Sequence, residues 1–334
     1  MVLIEVKNLI KRYGNYYAVN DVSFSVEKGQ ICGFLGPNGA GKTTTMNIMT
    51  GYIGLTEGEV IINGHSIQHE PNEAKRSIGY LPEHPPLYGD MTPREYIAFA
   101  AELKRIPSGI RTQEIEKVME ATKIFYVRNR LIRNLSKGYK QRVGLSQALL
   151  GFPEIIILDE PTAGLDPHQI IEMRELISSL ANEHTVLLSS HILHEVQEIC
   201  DQIIIIHRGE IVANGSVEEL ESDMRGTAIE ITVKSESADD VVRILSSIEG
   251  VKQITCMEPK NGEVFAELEP MNKNDDLREA VFNACVRGNK KLLMLRPSSV
   301  SLESVFLQLT ADNDPAIMKN NEKADNATSG GDEE

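Results

Sequence analysis

Hydrophobic residues divide the first part of the chain, residues 1 to about 225, into short apolar runs that alternate with stretches of helical periodicity. The strand-like runs are Ile4–Val6, Ala18–Val26, Ile31–Leu35, Glu59–Ile62, Ile78–Leu81, Ile155–Leu158, Thr185–Ser190 and Gln202–His207. Continuous apolar strands that alternate with helices predict a largely parallel sheet covered on both faces. The strands up to Val26 alternate in polarity and are joined by short turns, so we expect an antiparallel layer at the start of the chain.

Residues from about 84 to 150 interrupt the strand pattern with helical periodicity. Thr92 supplies an N-cap hydroxyl, Pro93 takes the first helical position and Glu95 the third, which is typical of a helix start. We therefore expect a helical subdomain inserted into the α/β core.

After Gly226 the pattern changes to strand, helix, strand, strand, helix, strand. The segments in that order are Ala228–Val233, Ala238–Ile248, Val251–Met257, Glu263–Leu268, Asp275–Val286 and Lys291–Arg296. This order predicts a small ferredoxin-like α+β domain at residues 226–310, which closes with an amphipathic helix, SLESVFLQLT. The acidic tail, residues 311–334, is predicted to be disordered.

Composition limits the classes of partner. The chain has 334 residues and a formal net charge of −15, which argues against a nucleic-acid partner because polyanions repel each other. Its four cysteines form no CxxC pair, as expected for reduced thiols in a cytosolic protein. The start resembles a strand rather than a signal peptide, and the most apolar runs have the length of buried strands. We therefore expect that the chain itself does not cross a membrane.

The first candidate motif is a glycine-rich loop between the strand ICGFL and the helix KTTTMNIM. It consists of Gly36, Pro37, Asn38, Gly39, Ala40, Gly41, Lys42 and Thr43, and Thr44 follows it. Spacing and context match a P-loop, in which backbone N–H groups and a helix N-terminus surround phosphate oxygens. Lys42 would reach the β- and γ-phosphates of a nucleotide, and the Thr43 hydroxyl would bind Mg²⁺.

The second motif is an acidic pair, Asp159 and Glu160, directly after the buried strand Ile155–Leu158. Open α/β sheets bind ligands at the carboxyl edge of their strands. Asp159 is predicted to hold Mg²⁺, directly or through an intervening ligand. Glu160 is the candidate general base for the attacking water, an effect of roughly 10²–10⁴ in rate. With the P-loop, this pair predicts a nucleoside triphosphatase of unspecified class.

The third motif, Leu135-Ser136-Lys137-Gly138-Tyr139-Lys140-Gln141-Arg142, precedes the acidic strand. With this order of motifs, residues 1–225 resemble the ATP-binding cassette of ABC transporters. The resemblance implies an α/β P-loop NTPase cassette with an antiparallel β layer and an inserted helical subdomain. Ser136, Gly138 and Gln141 match the family's signature, which binds the γ-phosphate of ATP held by the partner protomer. Lys137 and Tyr139 replace a glycine and a glutamine of that signature.

The resemblance also implies roles for four residues outside these motifs. Tyr13 resembles the aromatic residue that stacks on adenine, and Asp166 belongs to a D-loop, which connects the two sites of a dimer. His191, at the end of the strand TVLLSSH, resembles the histidine that contacts the γ-phosphate. Glu83 stands where the family has the Q-loop glutamine that touches Mg²⁺, so it brings an additional negative charge to the metal site.

The resemblance implies a second copy as partner: two cassettes bind head to tail around two ATP molecules and Mg²⁺. Lys42 of one protomer and Ser136 of the other would hold each γ-phosphate. The cassette most resembles ABC-2-type exporters, which implies a separate transmembrane permease and a peripheral location on the inner face of the cell membrane.

Two alternatives remain: a soluble ABC ATPase that remodels a cytosolic complex, and an ATP-binding sensor without turnover. The single cassette and the compact segment between Thr43 and Ser136 count against the first. Asp159, Glu160 and His191 count against the second.

Overall fold

A computed structural model describes residues 1–224, 228–272, 275–297 and residue 306. The strands are β1 (Val2–Tyr13), β2 (Tyr16–Glu27), β3 (Ile31–Leu35), β4 (Glu57–Ile62), β5 (His65–Ser66), β6 (Ile78–Leu81), β7 (Ile155–Leu158), β8 (Thr185–Ser190), β9 (Gln202–His207), β10 (Glu210–Gly215), β11 (Ile229–Lys234), β12 (Val251–Cys256), β13 (Glu263–Pro270) and β14 (Lys291–Pro297). The helices are α1 (Lys42–Met49), α2 (Pro71–Arg76), α3 (Pro93–Leu103), α4 (Ser108–Ala121), α5 (Lys137–Leu149), α6 (Pro167–Leu180), α7 (Leu193–Gln197), α8 (Val217–Met224), α9 (Ala238–Leu245) and α10 (Arg278–Arg287), with short 3-10 turns at Phe125–Val127 and Ile132–Asn134.

The antiparallel layer is a four-stranded sheet in the order β2-β1-β4-β5. β1 and β2 form the hairpin that their alternating polarity predicts. β4 also belongs to this sheet, because it pairs antiparallel with β1. The pairing runs from Ile4 opposite Ile62 to Ile10 opposite Glu57. The sequence pattern did not separate β4 from the strands of the parallel sheet.

The second sheet has the order β10-β9-β3-β8-β7-β6, and its pairs are parallel except for β9 with β10. All four residues of β7 and all six of β8 are buried, as expected for strands covered on both faces. β10 was not predicted. It follows a tight turn in which Arg208 and Gly209 both have positive φ, 51° and 85°, the geometry that favours a two-residue hairpin.

The helical segment contains α3, α4 and α5. At the start of α3 the predicted capping box is present: Thr92 N donates to Glu95 Oε2 at 2.8 Å, and Glu95 N donates to Thr92 Oγ1 at 3.3 Å. Local sequence signals therefore set the boundary of this helix.

Two compact units make up the chain, one from Met1 to Val217 and one that begins at Glu218. In the second unit, β11–β14 form an antiparallel sheet in the order β12-β13-β11-β14, and α9 and α10 contribute to one apolar core. This is the strand order of a ferredoxin-like fold, as the sequence predicts. The predicted boundary at 225–226, the helix SLESVFLQLT apart from Phe306, and the acidic tail lie outside the described residues. Within the described part of the chain, no helix is both long and apolar enough to span a bilayer.

Candidate functional site

The glycine-rich loop joins the end of β3 to α1 through backbone positions that exclude side chains. Gly41 precedes α1 with φ 109°, and a Cβ there would lie 2.6 Å from the Ala18 carbonyl oxygen. A Cβ on Gly36 would lie 2.3 Å from the Ile206 carbonyl oxygen. Because the obstructing atoms are backbone, glycine is required at both positions. The loop can thus direct backbone N–H groups toward an anion at the N-terminus of α1.

Lys42 lies inside this loop with its ammonium group almost fully buried. Its Nζ donates to the carbonyl oxygens of Gly36 at 2.7 Å and Pro37 at 3.2 Å. It also lies 3.2 Å from Glu160 Oε1. The ammonium therefore contacts both the loop that would surround phosphates and the carboxylate proposed as base.

Asp159 and Glu160 follow β7 at the carboxyl edge of the sheet. Asp159 Oδ1 accepts hydrogen bonds from Ser189 Oγ at 2.6 Å and Thr43 Oγ1 at 3.3 Å. Burial raises the pKa of Asp159, and the carboxylates of Glu160 and Glu83 raise it further, while the two hydroxyl hydrogen bonds oppose the shift.

The backbone of Glu160 has a positive φ of 47°, which a non-glycine residue adopts only at a cost. Its N–H donates to Ser189 Oγ at 2.9 Å, which helps to hold this conformation. The strained turn directs the Glu160 carboxylate back toward the loop, where it lies between Lys42 and His191.

His191 follows β8, the strand next to β7 in the parallel sheet. Its Nδ1 lies 2.8 Å from Glu160 Oε2. Parallel neighbours place their carboxyl ends at one edge, so the sheet itself brings these two side chains together. Lys42, Glu160 and His191, the three predicted catalytic residues, form one connected group.

A cleft of about 360 Å³ opens over this group. Its walls include the predicted residues Tyr13, Asn38, Gly39, Gly41, Lys42, Thr43, Thr44, Glu83, Glu160 and His191, and also Tyr16, Ala18 and Ala163. Gly36, Pro37 and Ala40 shape the loop without lining the cleft. The cleft has the size expected for a nucleotide, and its walls combine two exposed tyrosines with the phosphate loop.

Two of the three signature residues, Ser136 and Gly138, lie at a different cleft of about 320 Å³. Ser136 caps α5 by accepting from Tyr139 N at 3.4 Å, and Asp166 caps α6 by accepting from Gln169 N at 2.9 Å. Ser136, Gly138 and Asp166 line this cleft together with Tyr139, Arg142, His168, Gln169 and Glu172. Gln141 is elsewhere: it is buried, and its Nε2 donates to the Glu83 carbonyl oxygen at 3.0 Å.

The predicted metal ligands Thr43, Asp159 and Glu83 offer only hard oxygen donors. The Thr43–Asp159 hydrogen bond places two of them side by side, and Glu83 lines the nucleotide cleft. The described residues contain no group of three or more His, Cys, Asp or Glu side chains that could hold a metal. Such a sparse donor set fits Mg²⁺, which is usually bound by one or two carboxylates together with phosphates and water.

Ser189 was missed in the sequence. Its hydroxyl is fully buried and contacts Asp159 and the Glu160 backbone at the same time. The available signal was a pair of serines at the end of the otherwise apolar strand TVLLSS. Tyr16, three residues after Tyr13, was also missed as a wall of the cleft.

Known proteins resemble this chain in sequence and in fold. The family model for ABC transporters matches residues 19–163. The linearmycin resistance ATP-binding protein LnrL of Bacillus subtilis (strain 168) is 32% identical over 311 residues, which are 92% of this chain and 98% of that protein. The chain belongs to the family of ABC transporter ATP-binding proteins. It is therefore an ATPase cassette that binds ATP and ADP, and the predicted fold class is confirmed.

Two further ABC proteins show how much of each protein the similarity covers. ABC transporter A family member 1 of Dictyostelium discoideum is 38% identical over 239 residues, which are 71% of this chain but 27% of that protein. A solved dimer of an ATP-binding cassette in a post-hydrolysis state, bound to ADP and Pi, is 25% identical with a TM-score of 0.58. The similarity covers 64% of this chain and 98% of the chain in that structure.

Proposed function

We propose that two copies of this ABC cassette close head to tail around two ATP molecules and power export through a separate membrane-spanning permease. One observation carries the proposal. The phosphate loop and the signature line two different clefts, and among the described residues none lines both. The Ser136 hydroxyl is exposed at the N-terminus of α5, where it can meet an anion held by another protomer. A related cassette has been solved as a dimer bound to ADP and Pi, which supports the pairing of two copies.

Lys42 would change partners when ATP binds. Its ammonium contacts Glu160 at 3.2 Å, and a γ-phosphate in the loop would compete for it with greater charge. Once Lys42 binds phosphate, the Glu160 carboxylate is free to accept a proton from water. Occupation of the cleft thereby prepares the base.

His191 would orient that base and stabilise the transferred phosphoryl group. With Nδ1 directed at Glu160 Oε2, the other ring nitrogen can face the cleft that His191 lines. Lys42 would then place positive charge where negative charge develops, His191 would add a ring nitrogen as donor, and Ser136 of the partner would add a hydroxyl donor. No covalent intermediate is needed.

The Thr43 hydroxyl and the Asp159 carboxylate would hold Mg²⁺, with Glu83 beside them. The ion would neutralise charge on the β- and γ-phosphates. Ser189 keeps Asp159 in position through its 2.6 Å hydrogen bond. Glu83 adds a carboxylate near Asp159, so we expect tighter metal binding than a glutamine at this position would give.

A second groove offers a place for the permease. Its volume is about 640 Å³, and its walls are Thr43, Asn47, Tyr52, Ile78, Tyr80, Pro82, Glu83, His84, Pro86, Lys104, Gln147, Ala148 and Asp159. Thr43 and Glu83 line both this groove and the nucleotide cleft. Because the groove has aromatic and proline walls, an amphipathic segment of the permease fits it. A movement of this permease segment would be transmitted to the nucleotide through Glu83.

The name of one relative favours export, and a peripheral location on the inner membrane face follows from the proposed permease. LnrL is by name a resistance protein, and it matches this chain over nearly its full length. The alternative, a soluble ATPase that remodels a cytosolic complex, predicts a different partner.

Co-purification tests the choice between these functions. We would tag the Glu160→Gln variant, add ATP and Mg²⁺, solubilise native membranes in mild detergent and identify the partners. We expect a multi-span protein in near-equal amount. Recovery of ribosomal or other soluble partners, with nothing from the membrane, would overturn the transporter proposal. The Glu154→Gln variant, altered at an exposed acid just before β7, controls for the loss of a carboxylate.

A further inference from the structure

Glu195 is a buried carboxylate behind the candidate active site, and it has no role in the steps described above. It lies on α7, four residues after His191, with a relative exposure of 6%. A carboxylate is costly to bury unless hydrogen bonds compensate it. The hydrogen bonds that compensate the buried Glu195 carboxylate come from the two segments that carry the proposed catalytic residues.

The first bond comes from the segment after Glu160. Thr162 Oγ1 donates to Glu195 Oε2 at 2.5 Å, and both side chains are buried. This length lies within the range of about 2.5–2.7 Å for a charge-assisted hydroxyl–carboxylate bond. Thr162 is two residues from Glu160, whose carbonyl oxygen accepts from Ala163 N at 3.0 Å. The bond therefore fixes the turn that carries the proposed base.

The second bond comes from the residue before His191. Ser190 Oγ donates to the same oxygen of Glu195 at 3.3 Å and accepts from Ile192 N at 3.0 Å. The Ser190 carbonyl oxygen also accepts from Gly36 N at 3.3 Å, at the start of the phosphate loop. One carboxylate oxygen thus joins the chain on either side of His191 to the chain after Glu160.

We propose that Glu195 is a positioning residue that ties the turn after Glu160 to the end of β8 and so maintains the contact between Glu160 and His191. The proposal rests on the catalytic roles given above to those two residues. Glu195 does not line the nucleotide cleft, so its effect reaches the reaction only through them. Loss of the tie should lower kcat and leave ATP affinity almost unchanged.

The test compares Glu195→Gln with Thr162→Val, each of which weakens the shared bond with little change in shape. We expect kcat to fall about 10- to 100-fold in each, since small misplacements of a reacting group cost this much. The dissociation constant for ATP, measured by calorimetry, should stay within about twofold of wild type. Thr162→Ser keeps the hydroxyl and should retain wild-type kcat. Glu198→Gln, at an exposed position directly after α7, is the matched control and should also retain wild-type kcat.

A double-mutant cycle distinguishes positioning from general loss of structure. If Glu195 acts through His191, then Glu195→Gln should add no further loss of kcat to a His191→Ala protein. Additive losses of kcat in the double variant would overturn the proposal. It would also be overturned if Glu195→Gln and Thr162→Val both lost ATP affinity and melting temperature to the same extent. A Glu160→Gln protein that hydrolyses ATP at the wild-type rate would instead refute the underlying roles, which keeps the two failures apart.

Discussion

His191 Nδ1 and Glu160 Oε2 lie 2.8 Å apart, at the carboxyl ends of two neighbouring parallel strands. Lys42 Nζ contacts the other oxygen of the same carboxylate. Both oxygens of Glu160 are therefore held by basic side chains that line the nucleotide cleft. This contact defines the part of the site where the γ-phosphate and the attacking water would meet.

Glu160→Gln is expected to abolish turnover while ATP remains bound, because glutamine keeps the size of the side chain but cannot accept a proton. We expect the hydrolysis rate to fall by at least about 10²–10⁴. Phosphate release would measure turnover, and gel filtration with ATP would show a trapped dimer. Wild-type phosphate release from this variant would contradict the assignment of the base.

Ser189→Ala should destabilise the protein and slow hydrolysis. The substitution leaves the buried Glu160 N–H without its acceptor and removes a donor to Asp159. An unsatisfied buried group costs about 1–3 kcal/mol, which thermal or urea unfolding can measure. Ser179→Ala, at an exposed serine on α6, should change stability by less than about 0.5 kcal/mol. Equal effects in the two variants would argue against a special role for Ser189.

Asp159→Asn should raise the melting temperature and abolish activity. A raised pKa means that the ionised carboxylate is less favourable in the folded protein than in the unfolded chain, so ionisation at pH 7 lowers stability. Asparagine removes this cost and can still accept from Ser189. Calorimetry in EDTA, without nucleotide, would measure the change. As a control, Asp90→Asn at an exposed position should leave the melting temperature unchanged. A lower melting temperature of the Asp159→Asn protein would disprove that the ionised Asp159 carboxylate lowers stability.

Gly164→Ala should cost about 1–2 kcal/mol, because Gly164 has φ 67° and alanine is strained there. A Cβ at this position would also lie 2.3 Å from Lys137 Nζ, but that atom is the free end of a flexible side chain. Adding Lys137→Gly should therefore not restore stability. Full restoration, measured by urea unfolding, would show that the contact with Lys137 dominates. Gly109→Ala, on α4 and in open space, is the control and should not destabilise the protein.

Features encoded by short stretches of sequence were predicted well. The run IIIL gave the limits of β7, Thr92 and Glu95 marked the start of α3, and the spacing from Gly36 to Thr43 located the phosphate loop. In each case neighbouring residues determine the structure through burial, capping or positive φ.

Several features that depend on distant residues were not predicted. β4 resembles a strand of either sheet until its pairing with β1 is known, and β10 alternates between exposed and half-buried positions. The contacts of Ser189 with Glu160 and of Thr162 with Glu195 join residues about 30 positions apart, so no local pattern marks them. Their polarity in an otherwise buried segment was the only indication.

Complementation between two inactive variants tests the central claim, that each ATP is held by the phosphate loop of one protomer and the signature of the other. Lys42→Ala and Ser136→Ala should each be inactive alone, and a mixture should recover hydrolysis because the mixed dimer contains one intact site. Lys42→Ala mixed with Glu160→Gln, whose defects lie in the same half-site, should not recover. Recovery in the first mixture alone is the predicted result. No recovery in the first mixture, with each variant folded, would contradict the head-to-tail site.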